Sequence, residues 1–235
     1  MNEAVLETEG VGGRSFPPFG FTISPGEGLI VSSASSEALD ELLETVFGLA
    51  DFGNGEVRLG GRSLGRGSER MLLTDLEKIG YASERGGLIG NLKVWENLIL
   101  PREGRGTPVC GPSIVQIQER VIEAFAAASI AEARAVGLMP RVPDQLSPFE
   151  RTVCALVRCH LAGFGLLVCD RIFERLDEGR RRRLAALVDW LGERHQGSAL
   201  FVLHHSIREA EDRFGLEAWN PIHNITLEVE SWRAS

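Results

Sequence analysis

The sequence predicts an α/β fold in which a mainly parallel sheet is flanked by helices, with antiparallel strands near the N-terminus. Short apolar runs at 165–170 and 199–204 alternate with helical segments, a pattern typical of parallel strands joined by crossover helices. A mainly helical stretch interrupts this alternation between about 86 and 160. We therefore expect residues 1–85 and 161–235 to form an α/β core, and residues 86–160 to form an inserted helical subdomain.

Each element follows from a local pattern. The segment 19–31 contains two short strands around the turn at Pro25 and Gly26. A helix follows, because Leu39, Leu42, Leu43, Val46 and Phe47 recur with helical spacing, Ser35 or Ser36 can cap its start, and Gly48 stands at its end. Further along the chain we expect a hairpin strand at 55–64, a segment at 76–81 that ends in a short strand, and strands at 165–170 and 199–204. Helices are expected at 94–100, 114–139 and 150–162, with a loop at 101–113 between the first two. We also expect helices at 178–195 and 206–213 and a mixed tail at 219–235.

Composition limits the class of protein. Hydrophobic residues make up 43% of the 235 residues and charged residues 25%, which is ordinary for a globular chain. The net charge of −8 argues against a nucleic-acid partner. We expect Arg180–Arg183 to be solvated, because a helix spreads consecutive residues around its circumference. The N-terminal residues do not resemble a signal peptide, and the cysteines are expected to be reduced, buried small hydrophobes.

The order of several segments resembles that of the ATP-binding-cassette (ABC) ATPases. PGEGLIV, GEVRLGGRSL, QLSPFERTVCALVRCHLA, LLVCDRIFERLD and FVLHHSIREAEDR follow one another at family-like spacing over about residues 19–213. The segment GGLIGNLKVWENLILP looks most like the ATPases of MCE-type (Mla-like) phospholipid transporters. The resemblance implies a P-loop fold, a dimer of ATPase subunits and a membrane permease as partner.

The resemblance places residues 33–40 at the phosphate loop, which in the family reads G-x-x-x-x-G-K-[ST]. Such a loop cradles phosphates with backbone N–H groups, a lysine and a hydroxyl on Mg²⁺. The corresponding residues here are Ser33, Ser35, Ser36, Glu37, Leu39 and Asp40. Leu39 replaces the lysine and Asp40 the magnesium ligand, and the acids Glu37, Asp40 and Glu41 would repel an anion. We therefore expect neither ATP nor metal to bind as a cofactor.

The remaining family positions are also altered. Asp170 matches the acid that positions magnesium, but Arg171 replaces the catalytic glutamate and cannot act as a base. We expect Arg171 to pair with Glu37, Asp40 or Glu41. Glu84 stands at the glutamine-loop position, and His205 matches the switch histidine. None of these catalytic positions is expected to be functional.

Two further motifs belong to the surface that pairs in the family dimer. The signature loop, L-S-G-G-[EQ] in the family, reads Leu146, Ser147, Pro148, Phe149 and Glu150 here. Ser147 and Glu150 can form a capping box, whereas Phe149 is expected to obstruct a phosphate. Asp177 keeps the acid of the dimer loop.

These departures favour a catalytically silent ABC ATPase-like subunit of a membrane transporter, with lipid as a candidate cargo. Its partners would be a permease and a second ABC ATPase, in a homo- or heterodimer, and it would lie in the cytoplasm at the inner face of the cytoplasmic membrane. One alternative is a weakly active ATPase that binds ATP and Mg²⁺, and another is a regulatory or scaffold protein. A serine hydrolase using Ser32–Ser36, His205 and Asp170 is disfavoured, because the chain lacks a G-x-S-x-G elbow.

Overall fold

The computed structural model of the chain describes residues 4–49, 54–64, 79–104, 112–204 and 222–227. These residues form an antiparallel sheet, a parallel sheet and six α-helices, as the sequence predicted for the fold class. No helix among them is both long and apolar enough to cross a membrane.

The antiparallel sheet has four strands in the order β2-β1-β4-β5. They are β1 (Leu6–Gly12), β2 (Phe19–Ile23), β4 (Asn54–Leu59) and β5 (Arg62–Leu64). The sequence did not predict β1, because its glutamates make the segment look polar. In the strand, the buried Leu6 and Thr8 alternate with the outward-facing Glu7 and Glu9. The hydroxyl of Thr8 accepts a hydrogen bond of 3.1 Å from the Phe21 N–H and so fixes β1 to β2.

The parallel sheet has five strands in the order β6-β7-β8-β3-β9. They are β3 (Gly28–Ser33), β6 (Ile79–Ser83), β7 (Leu166–Asp170), β8 (Ser198–His204) and β9 (Ile222–Leu227). Every residue of β3 and β7 is buried, as expected for strands covered on both faces. Because all five strands run in one direction, their carboxyl ends meet at one edge, where the candidate site lies.

The helices are α1 (Ser36–Val46), α2 (Val94–Gly104), α3 (Pro112–Ala127), α4 (Glu132–Leu138), α5 (Pro148–Ala162) and α6 (Glu178–His195), and a 3-10 turn spans Pro143–Gln145. The start of α1 is capped by Ser35, whose hydroxyl accepts from the Ala38 N–H at 3.2 Å. Gly48, with φ of +64°, follows the C-cap residue. The predicted bounds of α6 are confirmed.

Two predicted boundaries were wrong. The loop predicted at 101–113 is helical at both ends, because α2 continues through Pro101 to Gly104 and α3 begins at Pro112. The helix predicted at 114–139 is two helices, since Ser129 adopts φ of +54° and ends α3. The Ser129 N–H donates to Ala126 O at 2.8 Å, and the Ile130 N–H donates to Phe125 O at 2.9 Å, which is a Schellman ending. The predicted helix at 206–213 lies outside the described residues.

The hydrophobic core lies on both faces of the parallel sheet. On one face, Leu39, Leu42 and Val46 of α1 pack with residues of the antiparallel sheet. On the other, the helices α2–α6 pack around residues such as Phe125 and Phe201. The expected burial of Cys154, Cys159 and Cys169 is confirmed, and burial raises the pKa of all three thiols, whereas Cys110 lies outside the described residues.

Candidate functional site

A polar cavity of about 460 Å³ lies at the carboxyl edge of the parallel sheet, next to the start of α1. This is the edge at which α/β proteins commonly bind ligands. Of the residues that the sequence singled out, the cavity brings together Ser36, Asp40, Glu84, Asp170 and Arg171, and it is further lined by Tyr81, Ser83, Arg85 and Arg175.

The loop between β3 and α1 uses its serines to stabilise itself. The Ser33 hydroxyl donates to Leu227 O at 3.2 Å on the neighbouring strand β9 and accepts from the Ser35 N–H at 3.1 Å. Ser35 is the N-cap residue of α1. Glu37 lies in the first helical turn, where an acid favours the positive end of the helix, whereas Asp40 lies one turn further along. This loop is therefore an ordinary capped helix start.

Leu39 lies at the position where the resemblance would place a phosphate-binding lysine. Its side chain is completely buried and belongs to the core between α1 and the parallel sheet. The aliphatic side chain therefore supports the fold and does not reach the cavity, whose lining contains no atom of Leu39.

Arg171 connects the end of β7 to α1. Its Nε donates to Asp170 Oδ1 at 2.7 Å, and its Nη2 donates to Asp40 Oδ1 at 2.5 Å. The expected pairing of Arg171 with an acid of α1 is thus confirmed, with Asp40 as the partner. Glu41 is engaged elsewhere, because its carboxylate accepts from the N–H groups of Arg14 and Ser15, both at 2.7 Å.

The electrostatic balance around Arg171 favours its charged form. Burial acts to lower the pKa of this guanidinium, but the hydrogen bonds and charges of Asp170 and Asp40 outweigh burial and raise the pKa further above its usual value. Arg171 also has a positive φ of +53°, and its N–H donates to Val202 O at 2.8 Å on β8. The backbone at this residue is therefore tied to the sheet while its side chain reaches α1.

Tyr81 is a site residue that the sequence interpretation missed. Its hydroxyl donates to Asp170 Oδ2 at 2.8 Å, so Asp170 is hydrogen-bonded through both carboxylate oxygens. Burial, together with the negative charge of Asp170, raises the pKa of Tyr81 and keeps the hydroxyl as a donor. The sequence predicted a strand ending at Tyr81 and another ending at Asp170, but the contact depends on the parallel register of β6 and β7, which the sequence does not give.

Glu84 holds the loop after β6 against β7. Its N–H donates to Asp170 O at 2.9 Å, and its carboxylate lies 3.2 Å from Nε of Arg175 and 3.9 Å from Nε of Arg85. This residue forms ion pairs at the rim of the cavity, so it acts as a surface-loop contact in this structure.

His204 and Glu174 form a further connection that sequence reasoning missed. The His204 N–H donates to the Glu174 carboxylate at 3.0 Å, and His204 Nε2 lies 3.2 Å from Ala34 O. Burial, and to a smaller extent the neighbouring charge of Glu84, raise the pKa of Glu174. His205, the residue expected to match the switch histidine, lies outside the described residues.

The signature-loop position is a capped helix start. Ser147 and Glu150 form the predicted capping box, with the Ser147 N–H donating to Glu150 at 2.9 Å, and Pro148 is the first residue of α5. Arg134 of α4 donates to Glu150 at 2.5 Å. Burial acts to raise the pKa of Glu150, but the hydrogen bonds from Ser147 and Arg134 together lower it.

Phe149, at the signature-loop position, turns its side chain toward the helical core, and its expected obstruction of a phosphate stays a prediction. Its side chain is only 4% exposed and packs among the apolar residues of the helical core, because removing an aromatic ring from water is favourable. The guanidinium of Arg183 covers the ring at 4.7 Å from its centroid.

The four arginines at the start of α6 all make contacts within the chain. Asp177 caps α6 by accepting from the Arg180 N–H at 2.9 Å and also forms an ion pair with Arg180. Arg181 and Arg183 donate to backbone carbonyls, and Arg182 pairs with Glu178. These contacts hold the arginine run to neighbouring groups of the same chain. The roles in a dimer that the resemblance implies for Asp177 and for the signature loop stay predictions.

Comparison with known proteins finds sequence similarity to import ATP-binding proteins. The chain is 25% identical over 214 residues to the methionine import ATP-binding protein MetN 2 of Paraburkholderia xenovorans. This match covers 90% of this chain and 53% of that protein. It is 26% identical over 189 residues to the thiamine import ATP-binding protein ThiQ of Histophilus somni. This match covers 79% of this chain and 80% of that protein. The chain thus spans about half the length of the MetN relative. No protein-family profile matches the chain.

Solved structures share the fold. A dimeric bacterial ABC transporter cassette superimposes with a TM-score of 0.71 at 19% identity, covering 94% of both chains. The cbiO1 protein of Clostridium perfringens, part of the ABC transporter complex cbiONQ, gives a TM-score of 0.66 at 14% identity and covers 86% of this chain and 79% of that one. The fold is therefore that of the ABC ATPases.

Proposed function

We propose that this chain, which has the ABC ATPase fold and is similar in sequence to transporter ATP-binding proteins, is a catalytically silent subunit of a membrane ABC transporter. The observation that carries the proposal is the position of Arg171, whose guanidinium is hydrogen-bonded to both Asp40 and Asp170. In the family-equivalent arrangement these two residues stand on the magnesium side of the nucleotide.

Three features of the site do not fit Mg²⁺-ATP. The position of the phosphate-binding lysine holds Leu39, which is buried in the core. The Arg171 guanidinium donates hydrogen bonds to Oδ1 of Asp40 and to Oδ1 of Asp170, and the Tyr81 hydroxyl donates to Oδ2 of Asp170. The position of the general base holds Arg171, whose raised pKa keeps it protonated and unable to accept a proton.

The electrostatics act in the same direction. A triphosphate needs cations and free N–H groups, whereas Glu37 brings a carboxylate to the first turn of α1 and Asp40 adds another one turn further along. Charge-assisted hydrogen bonds contribute about 1.5–3 kcal/mol each. Losing three of them from a site worth about −8 kcal/mol, which corresponds to a micromolar dissociation constant, leaves binding in the millimolar range or weaker.

The proposed assembly contains a permease subunit and a second ABC ATPase, with this chain peripheral at the inner, cytoplasmic face of the membrane. A heterodimer with an active sister ATPase is the arrangement that we favour, because two copies of this chain would bring together two incomplete sites. Lipid as the cargo rests only on the resemblance of residues 86–101 to phospholipid-transporter ATPases. The relatives named above are import proteins for methionine and thiamine.

The test is to purify the tagged chain from membranes of its native host with its associated proteins, and then to measure ATP hydrolysis by the assembly. We expect a membrane subunit and an ATPase to co-purify. We also expect Asp170→Asn in this chain to leave the hydrolysis rate unchanged, while the matching substitution in the sister ATPase abolishes it. Loss of hydrolysis on substituting Asp170 in a folded assembly would contradict the proposal, as would purification with no membrane subunit.

A second candidate is a weakly active ATPase. It is supported by the cavity of about 460 Å³, which persists next to the phosphate-loop position, and by Asp170, which keeps the strand-end acid. Measurable hydrolysis by the purified chain that disappears in Asp170→Asn would favour this candidate.

A further inference from the structure

We propose that a second cavity, of about 290 Å³, binds a small oxyanion that carries carboxylate or phosphate groups. It lies between the loop after β6, the start of α5 and the loop that precedes α6. Its lining contains three arginines, two glutamates and three further residues: Arg85, Arg151, Arg175, Glu84, Glu174, Pro148, Thr152 and Leu176.

The charges that line this cavity do not cancel. Three guanidinium groups face two carboxylates, which leaves one positive charge in excess. Glu84 already pairs with Arg175 at 3.2 Å and lies 3.9 Å from Arg85. Glu174 accepts a hydrogen bond from the His204 N–H. Both carboxylates are therefore engaged by groups other than Arg151.

Arg151 is the residue that points to an anion. Its Nε is buried and makes no hydrogen bond to any group in the part of the chain that the structure describes. A buried donor without a partner costs about 1–3 kcal/mol, and more when it belongs to a charged group. An oxyanion in the cavity would accept from this guanidinium and remove that cost, because the planar fork of arginine matches carboxylate and phosphate oxygens.

The backbone around Arg151 is closely packed. The Arg151 N–H donates to Ser147 O at 3.0 Å in the first turn of α5. Gly86 has a φ of +82°, and a Cβ added there would lie 3.0 Å from Arg151 O. The glycine thus allows the loop after β6 to lie directly on α5, which brings Arg85 and Arg151 to the same cavity.

The size and chemistry of the cavity restrict the ligand. A volume of about 290 Å³ lies at the lower end of the range for small-molecule pockets, so the ligand is small. The Thr152 hydroxyl donates to Pro148 O at 3.2 Å, so the donors available to an anion are the arginines. Pro148 and Leu176 contribute apolar walls. Inorganic phosphate and citrate are therefore suitable probes of the two anion types.

This cavity is separate from the phosphate-loop position. It shares Glu84, Arg85 and Arg175 with the larger cavity, but it contains neither Arg171 nor any residue of α1. The inference therefore does not require the chain to bind a nucleotide, and it holds whether or not the proposed function is correct.

The experiment is calorimetric titration of the full chain with sodium phosphate and, separately, with sodium citrate, at constant ionic strength maintained with sodium chloride. We expect saturable binding of at least one probe, and we expect Arg151→Gln to weaken it by about tenfold or more, as loss of one charge-assisted contact predicts. Arg141→Gln is the matched control, because Arg141 lies outside the cavity and should bind like the natural chain.

The comparison of probes shows whether phosphate or carboxylate is preferred. Absence of saturable binding of both probes at millimolar concentration would overturn the inference, as would unchanged affinity in an Arg151→Gln variant with a native circular dichroism spectrum. A separate titration of the Arg151→Gln variant with Mg²⁺-ATP reports on the proposed function, because Arg151 does not line the larger cavity, so the two ideas can fail independently.

Discussion

Replacing Arg171 by methionine should strongly destabilise the chain. Methionine preserves the length of the aliphatic stem but removes the charge and all the hydrogen bonds of the guanidinium. Asp170 would then be left with Tyr81 as its side-chain partner among the described residues. Asp40 would lose its tie to the end of β7.

The structure gives the magnitude. The side chains of Arg171 and Asp170 are 16% and 6% exposed, so their pair is largely shielded from water. Removing one partner of a buried ion pair costs about 3–5 kcal/mol, and the remaining hydrogen bond from Tyr81 reduces this. Asp40 is 56% exposed, so its contact adds at most about 1 kcal/mol. We expect a total loss of about 3 kcal/mol in the free energy of unfolding.

Urea denaturation followed by circular dichroism measures this difference. Arg85→Met is the matched control, because Arg85 is 84% exposed and its ion pair is long, so its loss should cost less than about 0.5 kcal/mol. A double-mutant cycle with Asp40→Asn separates the contact with α1 from the contact with Asp170. A loss below about 1 kcal/mol for Arg171→Met would refute the reasoning that this guanidinium neutralises a buried acid.

Three further predictions follow from buried groups. Leu39→Lys should cost more than about 3 kcal/mol of unfolding free energy, measured against Leu39→Met, and should not create nucleotide binding, because the side chain lies in the core. Glu150→Gln should cost about 1.5 kcal/mol at pH 7. Because the folded pKa of Glu150 is lowered, this difference should begin to shrink as the pH of urea titrations falls below the unfolded value of about 4.3, and it should vanish once the pH has passed below the folded pKa. Burial and the nearby charge of Arg120 lower the pKa of His160 to about 3. His160 therefore stays neutral in the folded chain, while in the unfolded chain it gains a proton below about pH 6.5, so the free energy of unfolding should fall with acidification. His160→Leu should reduce the dependence of this free energy on pH by up to about 1.4 kcal/mol per pH unit.

The periodicity of the sequence predicted the elements that bury a clear apolar face. The run of leucines in α1, the apolar strands β7 and β8 and the bounds of α6 are recovered, because burial and helical spacing leave a direct pattern in these segments. Strands β1 and β9 were missed. Their pairing depends on partners distant in the chain, and in β1 the short run contains two glutamates and two glycines.

The candidate site was only partly predictable. The alignment with family motifs located Asp170, Arg171 and Asp40, and opposite charges made their pairing foreseeable. The role of Tyr81 required the register of β6 against β7, and the burial of Phe149 required knowledge of the face that α5 turns to the core. Local sequence contains neither quantity, because both are set by tertiary packing.

The carboxyl edge of the parallel sheet no longer accepts a nucleotide if this chain is a silent subunit. Calorimetric titration of the purified chain with Mg²⁺-ATP, beside an intact ABC ATPase as a positive control, tests it directly. We predict no saturable heat for this chain at concentrations that saturate the control. A micromolar dissociation constant that is lost in Asp40→Asn or Asp170→Asn would contradict the account.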